Sequence, residues 1–250
     1  MKPMLPLLFL LAVPTVVNSM VPVAYPAAPP DPPAPALPAK SAQSPERFQD
    51  KIRDDFFAGF AGNKEALERA MLACEAALKK QPDYPEALVW HGCGLIFRAG
   101  VAFQKGDRAG GITLWQNGIS EMDRAVKLAP DDITVRIPRA TCLITASRNA
   151  PGPQQRPLLE RAREDLELVY RKQQPALLRL SRHSRGELLM GLAEVYKRLG
   201  EEEKAKVALD EVTRACASTP YADEAIRWLK PTNAASSAPR YEHTCIGCHG

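Results

Sequence analysis

The sequence predicts an all-α protein whose helices form stacked antiparallel pairs. Apolar residues recur at helical spacing from residue 45 to residue 229, and caps, prolines and glycines separate the periodic segments. Alternating runs of β-branched residues, the usual signal of strands, are absent. Hydrophobic residues make up 45% of the chain and charged residues 25%, as in an ordinary globular domain. The net charge of +4 is too small to indicate nucleic-acid binding.

The first twenty residues resemble a targeting segment. Lys2 supplies a positive charge, and an apolar run follows over residues 5–17, interrupted by Pro6 and Pro14. This run is shorter than the roughly 20 residues that a membrane-spanning helix needs. We therefore predict a bacterial-type signal peptide over residues 1–20, no stable membrane span, and export to the periplasm or the medium. An uncleaved anchor is the alternative.

Residues 21–44 are rich in proline and alanine and lack periodic apolar positions. Such a segment cannot bury a core, and it favours extended, polyproline-like conformations. We predict a disordered linker that holds the folded part away from the membrane or cleavage site.

Helical periodicity then predicts a folded domain over residues 45–229. Ser44 before Pro45 is a typical start for the first helix, and Asn63 is a typical cap for the second. The predicted helices cover residues 45–60, 64–80, 85–105, 107–128, 132–148, 154–172, 185–199, 201–216 and 221–229.

Two of the turns repeat, and so do small residues before them. A Pro-Asp pair follows a helix at Pro82 and again at Pro130. Small or slender residues precede both prolines at equal intervals, which would let neighbouring helices approach closely. These residues are Ala70, Cys74 and Ala77 in the first case, and Gly118, Met122 and Ala125 in the second.

These units resemble tetratricopeptide repeats, which stack into an α-solenoid. The clearest unit covers residues 186–220, with Tyr196 on its first helix, Gly200 at its turn and Ala205 on its second helix. Gly92 matches the first-helix glycine of an earlier unit, but that unit is enlarged. It spans 38 residues from Gly92 to Pro130, where the family has about 24. The resemblance implies a surface that binds peptides or partner proteins, without assigning particular residues to it.

Residues 133–185 are strongly basic. They contain 11 lysines and arginines against 4 acids, a local net charge of +7. We interpret this excess as a solvated helical face, with an acidic protein partner or anionic surface as the alternative.

Residues 230–250 form a tail, predicted to be flexible, that carries the pattern Cys245-x-x-Cys248-His249. Two thiols at this spacing can add to the two vinyl groups of a haem, and the adjacent histidine can then bind the iron. The stretch resembles the haem-binding motif of c-type cytochromes over about six residues. That resemblance implies that Cys245 and Cys248 carry the thioether bonds of haem c and that His249 is the axial ligand.

The resemblance does not extend to the part of a cytochrome domain that buries the haem and supplies a sixth ligand. The sequence offers five candidates for that ligand and selects none of them. They are His91, His183, His243, Met122 and Met190.

Three other interpretations of the tail stay open. A structural zinc site could use His243 together with Cys245, Cys248 and His249, although zinc ligand pairs usually come from two separated segments. A redox-active dithiol is a second possibility, but it would normally lie at a helix N-terminus. An inert disulfide, or the remnant of a truncated domain, is the third.

The remaining cysteines all fall on predicted helices, at or near buried positions. We predict that they pack as small hydrophobic residues, with a Cys74–Cys93 disulfide as the alternative. They are Cys74, Cys93, Cys142 and Cys216. The three tryptophans, Trp90, Trp115 and Trp228, are likewise expected to pack between helices.

Motifs of hydrolases and of phosphate-binding loops are absent from the sequence, so we do not predict an enzyme. The predicted function is an exported scaffold that binds a protein partner through its helices. We further expect one covalent haem at the C-terminus, for electron transfer to or from a redox partner. The alternative is a scaffold without haem, whose tail cysteines bind metal, form a disulfide or are vestigial.

Overall fold

The computed structural model describes residues 47–230, which form nine α-helices and one 3₁₀ segment without any β-strand. The all-α prediction is therefore confirmed for this part of the chain. The helices are α1 (Phe48–Phe60), α2 (Lys64–Lys80), α3 (Pro85–Gln104), α4 (Arg108–Leu128), α5 (Ile133–Asn149), α6 (Gly152–Gln173), α7 (Arg182–Leu199), α8 (Glu202–Ala215) and α9 (Pro220–Leu229). The 3₁₀ segment, Gln174–Arg179, lies between α6 and α7.

Side-chain caps fix several helix starts. The Asn63 side chain accepts a hydrogen bond from the backbone N–H of Ala66 at 3.0 Å, as its position in the sequence predicts. Helix α7 begins at Arg182, three residues before the predicted start. The reason is Ser181, whose hydroxyl oxygen accepts from the backbone N–H of Ser184 at 3.0 Å and caps the extra turn.

The predicted start of the first helix at residue 45 is wrong. Arg47 is extended, with φ −66° and ψ 150°, and α1 begins at Phe48. Phe48 is the first side chain of this helix to pack on the rest of the fold, with its ring centroid 5.2 Å from that of Tyr84. Contacts of this kind stabilise α1, because short helices draw most of their stability from packing.

The helices pack mainly as consecutive pairs: α1 with α2, α3 with α4, α5 with α6, and α7 with α8, while α9 packs on α8. Contacts between α2 and α3, α3 and α5, and α6 and α7 join one pair to the next. This arrangement is consistent with helical repeats. The pairs differ in length, since α3 and α4 have 20 and 21 residues whereas α7 and α8 have 18 and 14.

Glycines bring α3 and α4 into backbone contact. A Cβ atom placed on Gly92 would lie 2.7 Å from the carbonyl oxygen of Gly118, and the reverse distance is also 2.7 Å. No side chain fits at either position without moving a helix. The sequence-based expectation that small residues before Pro130 allow a close approach is confirmed here.

Helices α3, α5 and α7 contribute the most buried residues to the hydrophobic core of the described part. Of the 18 residues of α7, 13 are buried, whereas α8 buries only Ala205, Ala208, Leu209 and Val212. The even-numbered helices therefore have one apolar stripe and one polar face. Among the described residues, no helix combines the length and the hydrophobicity needed to cross a bilayer.

Candidate functional site

The residues predicted to bind haem, Cys245, Cys248 and His249, lie outside the described residues, as does His243 of the zinc alternative. The predicted signal peptide over residues 1–20 and the linker over residues 21–44 also lie outside them. The side chains whose geometry is defined belong to residues 47–230.

The four helix cysteines are buried free thiols. The packing prediction is confirmed, and the alternative disulfide between Cys74 and Cys93 is not formed. The Cys93 sulfur lies 3.7 Å from the sulfur of Met122 and 3.6 Å from the carbonyl oxygen of Pro138. Burial raises the pKa of the Cys93 and Cys74 thiols, so both stay protonated and unreactive at neutral pH.

The side chains considered as a sixth haem ligand differ in accessibility. Met122 and Met190 have no exposed surface. His91 is largely buried, with its Nδ1 atom 2.6 Å from a carboxylate oxygen of Glu121. His183 is exposed, and its Nδ1 atom lies 2.5 Å from the hydroxyl oxygen of Tyr221.

No cluster of three or more histidine, cysteine, aspartate or glutamate side chains within residues 47–230 is placed to hold a metal ion. The tryptophans pack as expected: the Trp90 ring stacks on Phe56 with centroids 5.1 Å apart, and Trp228 is 6% exposed. Trp115 is partly buried against the same core.

Most basic side chains of residues 133–185 form ion pairs with acidic side chains of the same chain. At least seven of the 11 cations of this segment lie within 4.0 Å of a carboxylate, and four of the acids concerned come from outside the segment. Those four acids are Asp123, Asp131, Glu194 and Glu201. Most of the excess positive charge of this segment is therefore used in ion pairs that connect different helices.

Asp165 is the centre of the most buried of these ion pairs. Its side chain on α6 is completely buried and accepts from Arg136 at 2.6 Å and from Arg139 at 2.7 and 2.8 Å, both on α5. Burial raises the pKa of this carboxyl, and the hydrogen bonds and charges of Arg139 and Arg136 act against that rise. Arg139 also reaches Asp123 on α4 at 3.0 Å.

A groove of about 480 Å³ opens between the 3₁₀ segment and the second half of α8. The apolar part of its lining includes Pro175, Leu177, Leu178 and Ala215. Leu178 is 73% exposed, the most exposed of the large hydrophobic side chains in the described part. Sequence reasoning missed this groove, because residues 173–184 carry no helical periodicity and only Pro175 signals a break there.

Two arginines and one acid flank the apolar lining of the groove. Arg179 and Arg214 contribute to its walls, and neither forms an ion pair with a carboxylate in the described structure. Glu211 accepts a hydrogen bond from the Tyr170 hydroxyl at 2.7 Å. Burial, together with the hydrogen bond and charge of Glu211, raises the pKa of Tyr170 to about 12.

These features define a class and not a particular protein: an all-helical protein with helices packed in consecutive pairs, consistent with helical repeats. Comparison with protein-family models, with curated proteins and with solved structures gives no match for this chain.

Proposed function

We propose that this chain is an exported scaffold of tetratricopeptide-like hairpins that binds a partner protein. The observation that carries this proposal is the serial packing of helix pairs, with the backbone contact of Gly92 and Gly118 inside one pair. Serial pairs present a broad surface made of many helices, which is the usual use of such stacks. The sequence adds export, through the signal peptide predicted over residues 1–20.

Fractionation and chemical cross-linking test this function together. The full chain, expressed in a Gram-negative bacterium, is expected in the periplasm or medium with its N-terminus shortened by about 20 residues. Cross-links to a co-purified protein should map to lysines of residues 64–206. Retention in the cytoplasm would contradict export, and cross-links confined to the tail would contradict a helical binding surface.

We further propose that the tail carries one haem c, because Cys245, Cys248 and His249 have the attachment spacing. Bound there, haem would give the scaffold a one-electron carrier for a redox partner. This candidate rests on the sequence, since the three residues lie outside the described part of the chain. The alternatives of metal binding, a disulfide or a vestigial motif predict a colourless protein.

The test is expression of the full chain in cells that contain cytochrome c maturation enzymes. A pyridine haemochrome spectrum of the purified protein should show covalent haem, and Cys248→Ala should remove it. Thiol titration gives an independent readout, because Cys74, Cys93, Cys142 and Cys216 are buried and should react only after unfolding. Two thiols that react in the native protein, without colour, would overturn the haem proposal.

If the haem takes a sixth ligand from the described helices, accessibility favours His183. Met122 and Met190 are fully buried, and His91 is held against Glu121. His183 is exposed, and its contact with Tyr221 uses only the Nδ1 atom. His183→Ala should then change a low-spin absorption spectrum to a high-spin one, whereas Met190→Leu should not.

A further inference from the structure

The groove between the 3₁₀ segment and α8 has the size and lining of a ligand site. Its volume of about 480 Å³ lies within the usual range of roughly 300–1,000 Å³. Leu177 is buried, whereas Leu178 beside it is 73% exposed. An exposed leucine next to further apolar lining provides surface that a partner side chain can cover favourably.

The walls of the groove are held in place by polar contacts. The buried Arg185 on α7 donates from Nη1 to the carbonyl oxygen of Leu178 at 2.7 Å, which fixes the 3₁₀ segment to α7. On the other side, the hydrogen bond from Tyr170 to Glu211 fixes α6 to α8. A groove with fixed walls loses little entropy when it binds a ligand.

The groove lining contains two guanidinium groups, those of Arg179 and Arg214, and one carboxylate, that of Glu211, so its net charge is positive. Most cations of residues 133–185 have acid partners, but Arg179 does not. Arg214 on α8 donates a hydrogen bond from Nε to the backbone carbonyl oxygen of Asp210 and has no acid partner in the described part of the chain either. Arg171, on the last turn of α6, also lacks an acid partner among the described residues. Glu211 is the one acid among the lining residues, and its carboxylate accepts a hydrogen bond from the Tyr170 hydroxyl.

We propose that this groove binds an acidic peptide segment of the partner protein, with an apolar side chain seated on Leu177 and Leu178. Carboxylates that flank the apolar residue would pair with the guanidinium groups of Arg179 and Arg214. The inference rests on the proposed scaffold function and adds to it the surface and the chemical class of the partner. A nucleic acid fits less well, because the groove has an apolar floor and the neighbouring basic segment is largely neutralised by internal acids.

The test uses the full chain and a fluorescent eight-residue peptide of alternating glutamate and leucine, followed by anisotropy. The double variant Arg179→Glu/Arg214→Glu should weaken binding about tenfold or more, and Leu178→Asp should do the same. Matched controls lie elsewhere: Lys206→Glu on the exposed side of α8, and Leu72→Asp on α2, where Leu72 is 53% exposed. Both controls should leave the affinity unchanged, and circular dichroism checks that every variant is folded.

Two further peptides separate the contributions of charge and apolar contact. A lysine–leucine peptide and a glutamate–serine peptide should both bind much more weakly than the glutamate–leucine peptide. The proposal is overturned if the acidic peptide does not bind, if it binds the groove variants as tightly as the controls, or if the lysine–leucine peptide binds equally well. If a partner cross-links equally to the wild type and to Arg179→Glu/Arg214→Glu, the groove is not its binding site, whereas the proposed scaffold function still holds.

Discussion

Asp165 illustrates how a single residue joins two helices. Its carboxylate satisfies Arg136 and Arg139 at distances of 2.6–2.8 Å, with no exposed surface of its own. If it is removed, Arg136 loses its carboxylate partner in a low-dielectric region, and Arg139 keeps only the half-exposed Asp123. Breaking one partner of a buried pair is more costly than the net gain from forming the pair, because the remaining charge stays desolvated.

Asp165→Ala is therefore expected to lower the free energy of unfolding by about 3–5 kcal/mol. Asp123→Ala is the matched control, because Asp123 also pairs with Arg139 but its side chain is 41% exposed. That variant should cost less than about 1 kcal/mol. Urea denaturation of both proteins measures the difference, and equal losses would contradict the role assigned to burial.

Tyr170 gives a prediction about alkaline pH. Its pKa is raised to about 12, by burial first and then by Glu211. The folded protein thus favours the neutral phenol, and the resulting stability is fully present below about pH 10, the ordinary tyrosine pKa. It is lost as the pH rises from about 10 through about 12.

Tyr170→Phe should remove this alkaline component of the stability curve. Glu211→Gln should lower the pKa of Tyr170 towards its ordinary value, since the charge of Glu211 contributes to the rise. Absorbance titration of tyrosinate, with Tyr170→Phe as the reference, measures the shift. An unchanged titration in Glu211→Gln would show that burial alone accounts for the raised pKa.

At the scale of the element, the α3–α4 pair depends on the glycines at its crossing. Gly118→Ala should destabilise the protein by about 1–3 kcal/mol, because the new Cβ would meet the carbonyl oxygen of Gly92 at 2.7 Å. A Cβ atom at Gly100, on helix α3 of the same pair, would meet nothing within 4 Å, so Gly100→Ala is the control. That change should stabilise by about 0.5–1 kcal/mol, through the better helix propensity of alanine. Thermal or urea unfolding compares the two, and loss of stability in both would refute the close-contact explanation.

Sequence patterns predict some helix boundaries and fail to predict others. A cap such as Asn63 acts locally, and the structure confirms the helix start that it predicts. The sequence does not predict the first turn of α7, because residues 182–184 include no apolar side chain, nor the 3₁₀ segment, because its apolar residues do not repeat at helical spacing. The burial of Leu177 and the exposure of Leu178 depend on how the 3₁₀ segment packs against α6 and on its hydrogen bond from Arg185 of α7.

For the described part as a whole, serial packing predicts uneven stability. Among the described residues, helix α9 packs mainly on α8 and, more weakly, on α7, whereas α3 contacts helices on several sides. Amide hydrogen exchange should therefore be faster in α9 than in α3 and α7 by at least about tenfold. Mass spectrometry of exchanged peptides measures this, and uniform protection would indicate a single cooperative unit instead.

The sequence by itself determined the helices, the cap at Asn63, the pairing of neighbours and the chemistry proposed for Cys245, Cys248 and His249. These follow from local periodicity and spacing, which act over a few residues. Only the tertiary structure decided that the basic segment is neutralised by distant acids, that the four helix cysteines are buried free thiols, and that Arg179 and Arg214 flank an apolar groove. Those features depend on which side chains meet across helices far apart in the chain, and no local pattern contains that information.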